Sequence, residues 1–192
     1  MNKKLLMIIA GAVLLVALGA VLVLRPDSND KGSNNASNTD TSSADSKNLG
    51  AKDACNYLTQ AVADEVLGAG AMKGDTNANT QSEDVSVSTC IYSSKTDNSV
   101  ESIRNMTSAT VLLRAPLSNV GGDSNHEPFD NLKAGAQPVE GLGDDAYWDP
   151  EFGQLNVLKK NAWFIISSGK ARAGDRTLAE TRKLADLIIP KY

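Results

Sequence analysis

The chain has 192 residues, 41% of them hydrophobic and 22% charged, with a formal net charge of −4 and a pI near 5.0. That balance argues against a nucleic-acid binder: neutralising phosphates needs clustered Lys and Arg, and no basic stripe interleaved with aromatics occurs. The length bounds the rest, since residues 51–192 suffice for one ordinary domain with its own core.

Lys3 and Lys4 precede an unbroken apolar block, LLMIIAGAVLLVALGAVLVL at residues 5–24, which Arg25 and Pro26 close. Such a block, at helical rise, reaches about 30 Å, the hydrocarbon thickness of a bilayer. A cleaved signal peptide has an apolar region of only about 7–15 residues. Residues 5–24 are therefore expected to persist as a single-pass transmembrane signal-anchor, although ALGA at 17–20 has the small residues of a cleavage site. The positive-inside rule leaves residues 1–4 as a cytoplasmic tail and sends the bulk of the chain outside. Residues 25–50, RPDSNDKGSNNASNTDTSSADSKNLG, lack periodicity and large apolar side chains. They read as a disordered linker with an end-to-end distance of about 25–30 Å, holding the domain off the membrane.

In DACNYLTQAVADEVLG, the apolar positions Leu58, Val62 and Val66 recur at helical steps. Thr59 suits the amino-terminal cap, and Gly68 suits the end. DVSVSTCIYSS, residues 84–94, and TSATVLLRA, residues 107–115, read as strands. The Gly- and Asn-rich stretch from 116 to 138 reads as loop, with a short helical turn near residues 129–132. DDAYWD, GQLNVLKK and AWFIISSG read as three further strands joined by tight turns. The closing DRTLAETRKLADLIIPKY places Leu178, Leu184, Leu187 and Ile188 on one helical face, with Asp175 as the expected cap and Pro190 as the stop. The expected fold class is α+β: a mainly antiparallel sheet of about five strands, one face covered by two helices.

Cys55 and Cys90 are the only cysteines. Two ligands alone make a poor zinc site, and a cysteine nucleophile needs a nearby base. Outside the cytoplasm a disulfide is the economical reading.

Three short motifs carry a resemblance. They are C-x-x-L-T (Cys55 to Thr59) leading into a helix that ends in Leu67-Gly68, C-x-Y at Cys90 to Tyr92, and VEGLGDDAYW at residues 139–148. In these the chain resembles small secreted bacterial envelope proteins of unknown function, many of them lipoproteins, over residues 54–189. Similar domains serve as extracellular sensors of some bacterial kinases. The resemblance implies a domain used for contact or sensing. This chain departs from the lipoproteins in lacking a lipobox cysteine, and it carries no kinase, so attachment falls to residues 5–24.

Candidate chemistry is sparse. His126 is the only histidine and sits in the expected loop without a G-x-S-x-G elbow. Asp144, Asp145, Asp149 and Glu151 cluster around GLGDDAYWDPE, where hard oxygens at close spacing are weak candidates for calcium. Their positions beside Gly and Pro are equally those of ordinary turns, and no catalytic residue, cofactor or metal is assigned. Tyr147, Trp148, Trp163 and Phe164 fall in pairs on strands, so one ring of each pair points to each face. The outward rings form a candidate contact patch for an envelope protein or glycan, or else lie beneath a cover. The expected function is a membrane-anchored, extracytoplasmic and non-enzymatic binding or sensing module of the bacterial cell envelope. The alternative is an extracytoplasmic hydrolase or metal-dependent enzyme using His126 and the carboxylates from Asp144 to Glu151.

Overall fold

The computed structural model describes residues 50–74 and 79–192. The cytoplasmic tail, the signal-anchor and all of the linker except Gly50 lie outside the described residues. Among the described residues, no helix is long and apolar enough to cross a membrane.

The described chain begins with a 3-10 turn, Ala54–Asn56, capped by the Asp53 carboxylate, which accepts from the Cys55 N–H at 2.8 Å. Helix α1 (Gln60–Leu67) follows. The Thr59 hydroxyl accepts from the Val62 N–H, and Gly68 ends the helix at φ +93°. Asp64 Oδ1 then accepts from the Gly70 and Ala71 N–H groups, each at 2.9 Å, and folds the chain back.

Eight strands are described, all paired antiparallel. They are β1 (Met72–Lys73), β2 (Asn79–Gln81), β3 (Val85–Ser93), β4 (Thr107–Pro116), β5 (Gln137–Pro138), β6 (Asp145–Asp149), β7 (Gln154–Lys159) and β8 (Ala162–Lys170). The order across the sheet is β1-β3-β4-β8-β7-β6-β5, with β2 also pairing β3. Five of these are the expected strands. The other three, β1, β2 and β5, are two or three residues long and exposed. They bury nothing and therefore carry no alternation to read in sequence.

The alternation that exists sorts the core by face. Cys90, Tyr92, Val111, Leu113, Leu155, Val157, Phe164 and Ile166 lie on one face, packed with Leu58, Val62 and Ala63 from the α1 region and with Leu184, Ala185 and Ile188. The last three belong to α4 (Leu178–Ile188). Burying apolar area at about 25 cal/mol per Å² makes this the principal stabilising layer. The cap of α4 is Thr177 and not Asp175. The Thr177 hydroxyl accepts from the Glu180 N–H at 3.2 Å and donates to the Glu180 carboxylate at 2.8 Å. Asp175 instead closes a separate 3-10 turn, Ala173–Asp175. Beyond α4 the ring of Tyr192 packs edge-on to Phe164, with centroids 5.1 Å apart, and the Lys52 ammonium lies 3.7 Å over it.

Two further helices depart from the expectation. α2 (Val100–Arg104) is a short exposed turn of helix capped by Ser99. The stretch expected as loop is instead α3 (Asn119–Lys133), capped by the Ser118 hydroxyl. Its two glycines, asparagines and Pro128 give it poor intrinsic propensity, and tertiary docking overrides that. It covers the second sheet face, where Phe129 is fully buried against Tyr147, Trp163 and Leu158. The glycines are what bring it there. A Cβ at Gly121 would overlap the Asp84 carbonyl, and one at Gly122 would lie 3.1 Å from Asn161 Cβ.

Cys55 and Cys90 are joined by a disulfide, with Cα atoms 5.1 Å apart and a sequence separation of 35. On the chain-entropy relation its reduction is expected to cost about 3–4 kcal/mol. Urea unfolding of oxidised and Cys55→Ala/Cys90→Ala protein measures this directly. Gly121→Ala is expected to cost about 2 kcal/mol through overpacking. Gly174→Ala, where no atom lies within 4 Å of the added Cβ, is expected to leave the unfolding midpoint unchanged.

Candidate functional site

The four aromatics named above are core and not an exposed patch. Tyr147, Trp148, Trp163 and Phe164 are all 5% exposed or less. Tyr147 and Trp163 lie under α3, with Phe129 4.9 Å and 6.1 Å from them ring to ring. Trp163 Nε1 donates to Asn156 Oδ1 at 3.0 Å, which satisfies its one polar atom. Trp148 and Phe164 lie on the α1 and α4 side. Both faces are covered where these strands run, so each pair's outward ring finds a helix.

Three of the four turn carboxylates are engaged locally. Asp144 accepts from the Lys160 N–H at 2.6 Å and from Lys159 Nζ at 3.1 Å. The Lys160 N–H, followed by the Lys159 ammonium, holds its carboxyl below the usual range. Asp145 pairs with Lys133 of α3. Asp149 Oδ1 accepts from the Glu151 and Phe152 N–H groups at 3.0 and 3.2 Å, an Asx turn that leaves Glu151 exposed. His126 lies on α3, with Nε2 3.1 Å from Asn161 Oδ1. His126 and Asp144 thus reach neighbouring residues of one β7–β8 turn. Among the described residues, no group of three or more His, Cys, Asp or Glu side chains is placed to hold a metal ion.

A cleft lies elsewhere, between the carboxyl-terminal end of α1, α4 and the ends of β4 and β8. This cleft of about 460 Å³ is lined by Glu65, Ser168, Glu180, Lys183, Asp186 and Leu187, among others. Three carboxylates and one ammonium line it, and one of the carboxylates, Asp186, is also 3.7 Å from Arg182 Nε. The spacing along α4 explains the placement: positions 180, 183 and 187 share one helical face, while Leu184 and Ile188 turn into the core. Gly169, at φ +117°, lets the chain pass beneath Glu180, whose Oε2 lies 3.1 Å from where a Cβ would stand. Ser168 is buried. Its backbone N–H and carbonyl both meet the Thr181 hydroxyl at 3.3 Å. The arrangement suits a ligand bearing positive charge and a modest apolar surface. Periodicity alone could not assemble it, because its residues come from four separate elements.

No protein-family model, curated protein or solved structure matches the chain.

Burial, helped by the Asp149 charge, pushes the Tyr147 phenol up to about 12, and burial with Tyr57 nearby does the same to Tyr192. The unfolded chain loses these phenolic protons near pH 10, before the folded one does. Stability is therefore fully present below about pH 10 and falls as pH rises towards 12. Urea midpoints measured from pH 8 to 12 are expected to drop over that window, with a shallower drop in Tyr192→Phe.

Proposed function

We infer that this chain is a membrane-tethered, extracytoplasmic binding or sensing module of the bacterial cell envelope, whose work is contact and not catalysis. The observation that carries this reading is the Cys55–Cys90 disulfide. Such a bond forms and persists in oxidising compartments, and a cytosolic chain of this kind would keep both thiols reduced. The apolar block at 5–24 with Lys3 and Lys4 before it supplies the tether and the orientation. The α1–α4 cleft supplies a partly apolar, acidic surface for an envelope partner that presents basic side chains.

Cells of the native host test this. Free thiols are blocked in intact cells with an alkylating reagent, and the full-length chain is then analysed by mass before and after reduction. Spheroplasts are treated in parallel with an added protease. The reading expects no alkylation without reduction and loss of residues 51–192 to the protease. Two alkylated thiols, or a domain protected until the membrane is opened, overturns it.

A further inference from the structure

We propose that Arg114 anchors a second binding site, one that takes the carboxylate of a small hydroxylated acid in the cleft between the β2–β3 hairpin and α3. The assignment deepens the binding-module reading and rests on it.

Strand β4 presents Arg114 to the α3 side of the sheet, directly across the ladder from Trp163. The guanidinium carbon stands 5.5 Å from the indole centroid. Asn125 of α3 is fully buried and holds the inner edge of the group. Its Oδ1 accepts from Arg114 Nε at 3.0 Å, and its Nδ2 donates to the carbonyls of Arg114 and Asn161 at 3.0 and 2.9 Å. Its Oδ1 is thereby committed to the Arg114 side chain and its Nδ2 to two backbone carbonyls. A buried amide in mid-helix is costly unless satisfied, and here its satisfaction consists of holding this guanidinium and the strand beneath it.

The outer edge of the group is different. A guanidinium has five N–H donors, and only the Nε proton is used. Among the described residues, Nη1 and Nη2 have no hydrogen-bond acceptor, and no carboxylate comes within 4.0 Å of them. Arg114 is half-buried, so an unpaired charge there lacks full hydration as well as a counter-ion. It lines a cleft of about 400 Å³, whose polar walls are Thr80, Gln81, Ser82, Asp84 and Ser124. That volume accepts a monosaccharide-sized molecule.

The walls define the ligand's chemistry. A guanidinium fork matches a planar carboxylate bidentately. Asp84 shares the cleft, with Oδ1 engaged by the Ser118 hydroxyl at 2.6 Å, and forms no ion pair with Arg114. An anion-seeking group and a donor-seeking group therefore stand in one cleft without neutralising each other. A molecule carrying a carboxylate at one end and hydroxyls at the other satisfies both. A phosphate dianion is opposed by the Asp84 charge about twice as strongly as a single carboxylate is, and a neutral sugar leaves the guanidinium unpaired. The class is a sugar acid.

The test is calorimetric titration of the full-length, oxidised chain in detergent micelles at low salt. D-glucuronate is the probe, and glucose and inorganic phosphate are the comparisons. Glucuronate is expected to bind at least about tenfold more tightly than either comparison. Arg114→Lys, which keeps the charge but loses the fork, is expected to weaken it at least about tenfold. Ser124→Trp, at an exposed position of α3 on the cleft wall, is expected to abolish binding without disturbing the Asn125 network. Absence of glucuronate binding at roughly 50 mM, equal binding of glucose or phosphate, or undiminished binding by Ser124→Trp overturns the assignment. A merely structural Arg114 would lower the melting temperature on substitution and give no ligand heat in the parent protein. The titration uses oxidised protein wherever the chain resides. Its failure is thus separate from failure of the envelope reading, which the thiol and protease experiments decide.

Discussion

A single covalent constraint organises the larger face of this sheet. The Cys55–Cys90 bond fixes the segment before α1 to the middle of β3, and polar links reinforce it on the same strand. The Ala54 N–H donates to the Ser88 hydroxyl at 2.8 Å, and that hydroxyl donates to the Lys52 carbonyl at 3.2 Å. With its approach fixed, α1 is set down on β3 and β4 with Leu58 and Val62 inward. α4 then lies beside it over β7 and β8, and Tyr192 closes the margin against Tyr57 and Phe164. An eight-residue helix is marginal in isolation. Here a covalent bond and a buried face replace the propensity it lacks.

The second face is held by other means. α3 is poor in apolar side chains and contributes a single fully buried ring, Phe129. What draws it in is backbone proximity at Gly121 and Gly122 and the Asn125 amide, which reaches the carbonyls of Arg114 in β4 and of Asn161 in the β7–β8 turn. One face is thus a broad aliphatic layer and the other a small aromatic cluster flanked by polar contacts. The two clefts inherit this difference. The one between α1 and α4 has an apolar base under acidic side chains, whereas the one beside α3 is walled by hydroxyls, an amide and a carboxylate around one guanidinium.

Charge in this domain divides between turns and clefts. Asp64, Asp144 and Asp149 accept backbone N–H groups at bends, which explains why a chain so rich in Asp near Gly and Pro folds into tight connections. These carboxylates shape the backbone. The charges of Glu65, Asp186 and Arg114 have no such task in a turn, and they line the α1–α4 cleft and the cleft beside α3.

Much of this was determined by the sequence. Alternation in VSVSTCIYS and TVLLRA and the apolar spacing of the last helix define strands and a helix because burial on one face leaves a period in the chain. The pairing of two lone cysteines follows from their number and the expected compartment. The burial of Tyr147, Trp148, Trp163 and Phe164, the helix at 119–133 and the clefts were decided only by tertiary structure. A strand's outward ring is exposed or covered according to what packs over it, and α3 is a helix because Gly121 fits against the Asp84 carbonyl. The unpaired edge of Arg114 exists because Asn125, eleven residues away, engages the other edge. Local sequence records which face a residue is on, while only the assembled layers determine what meets it there.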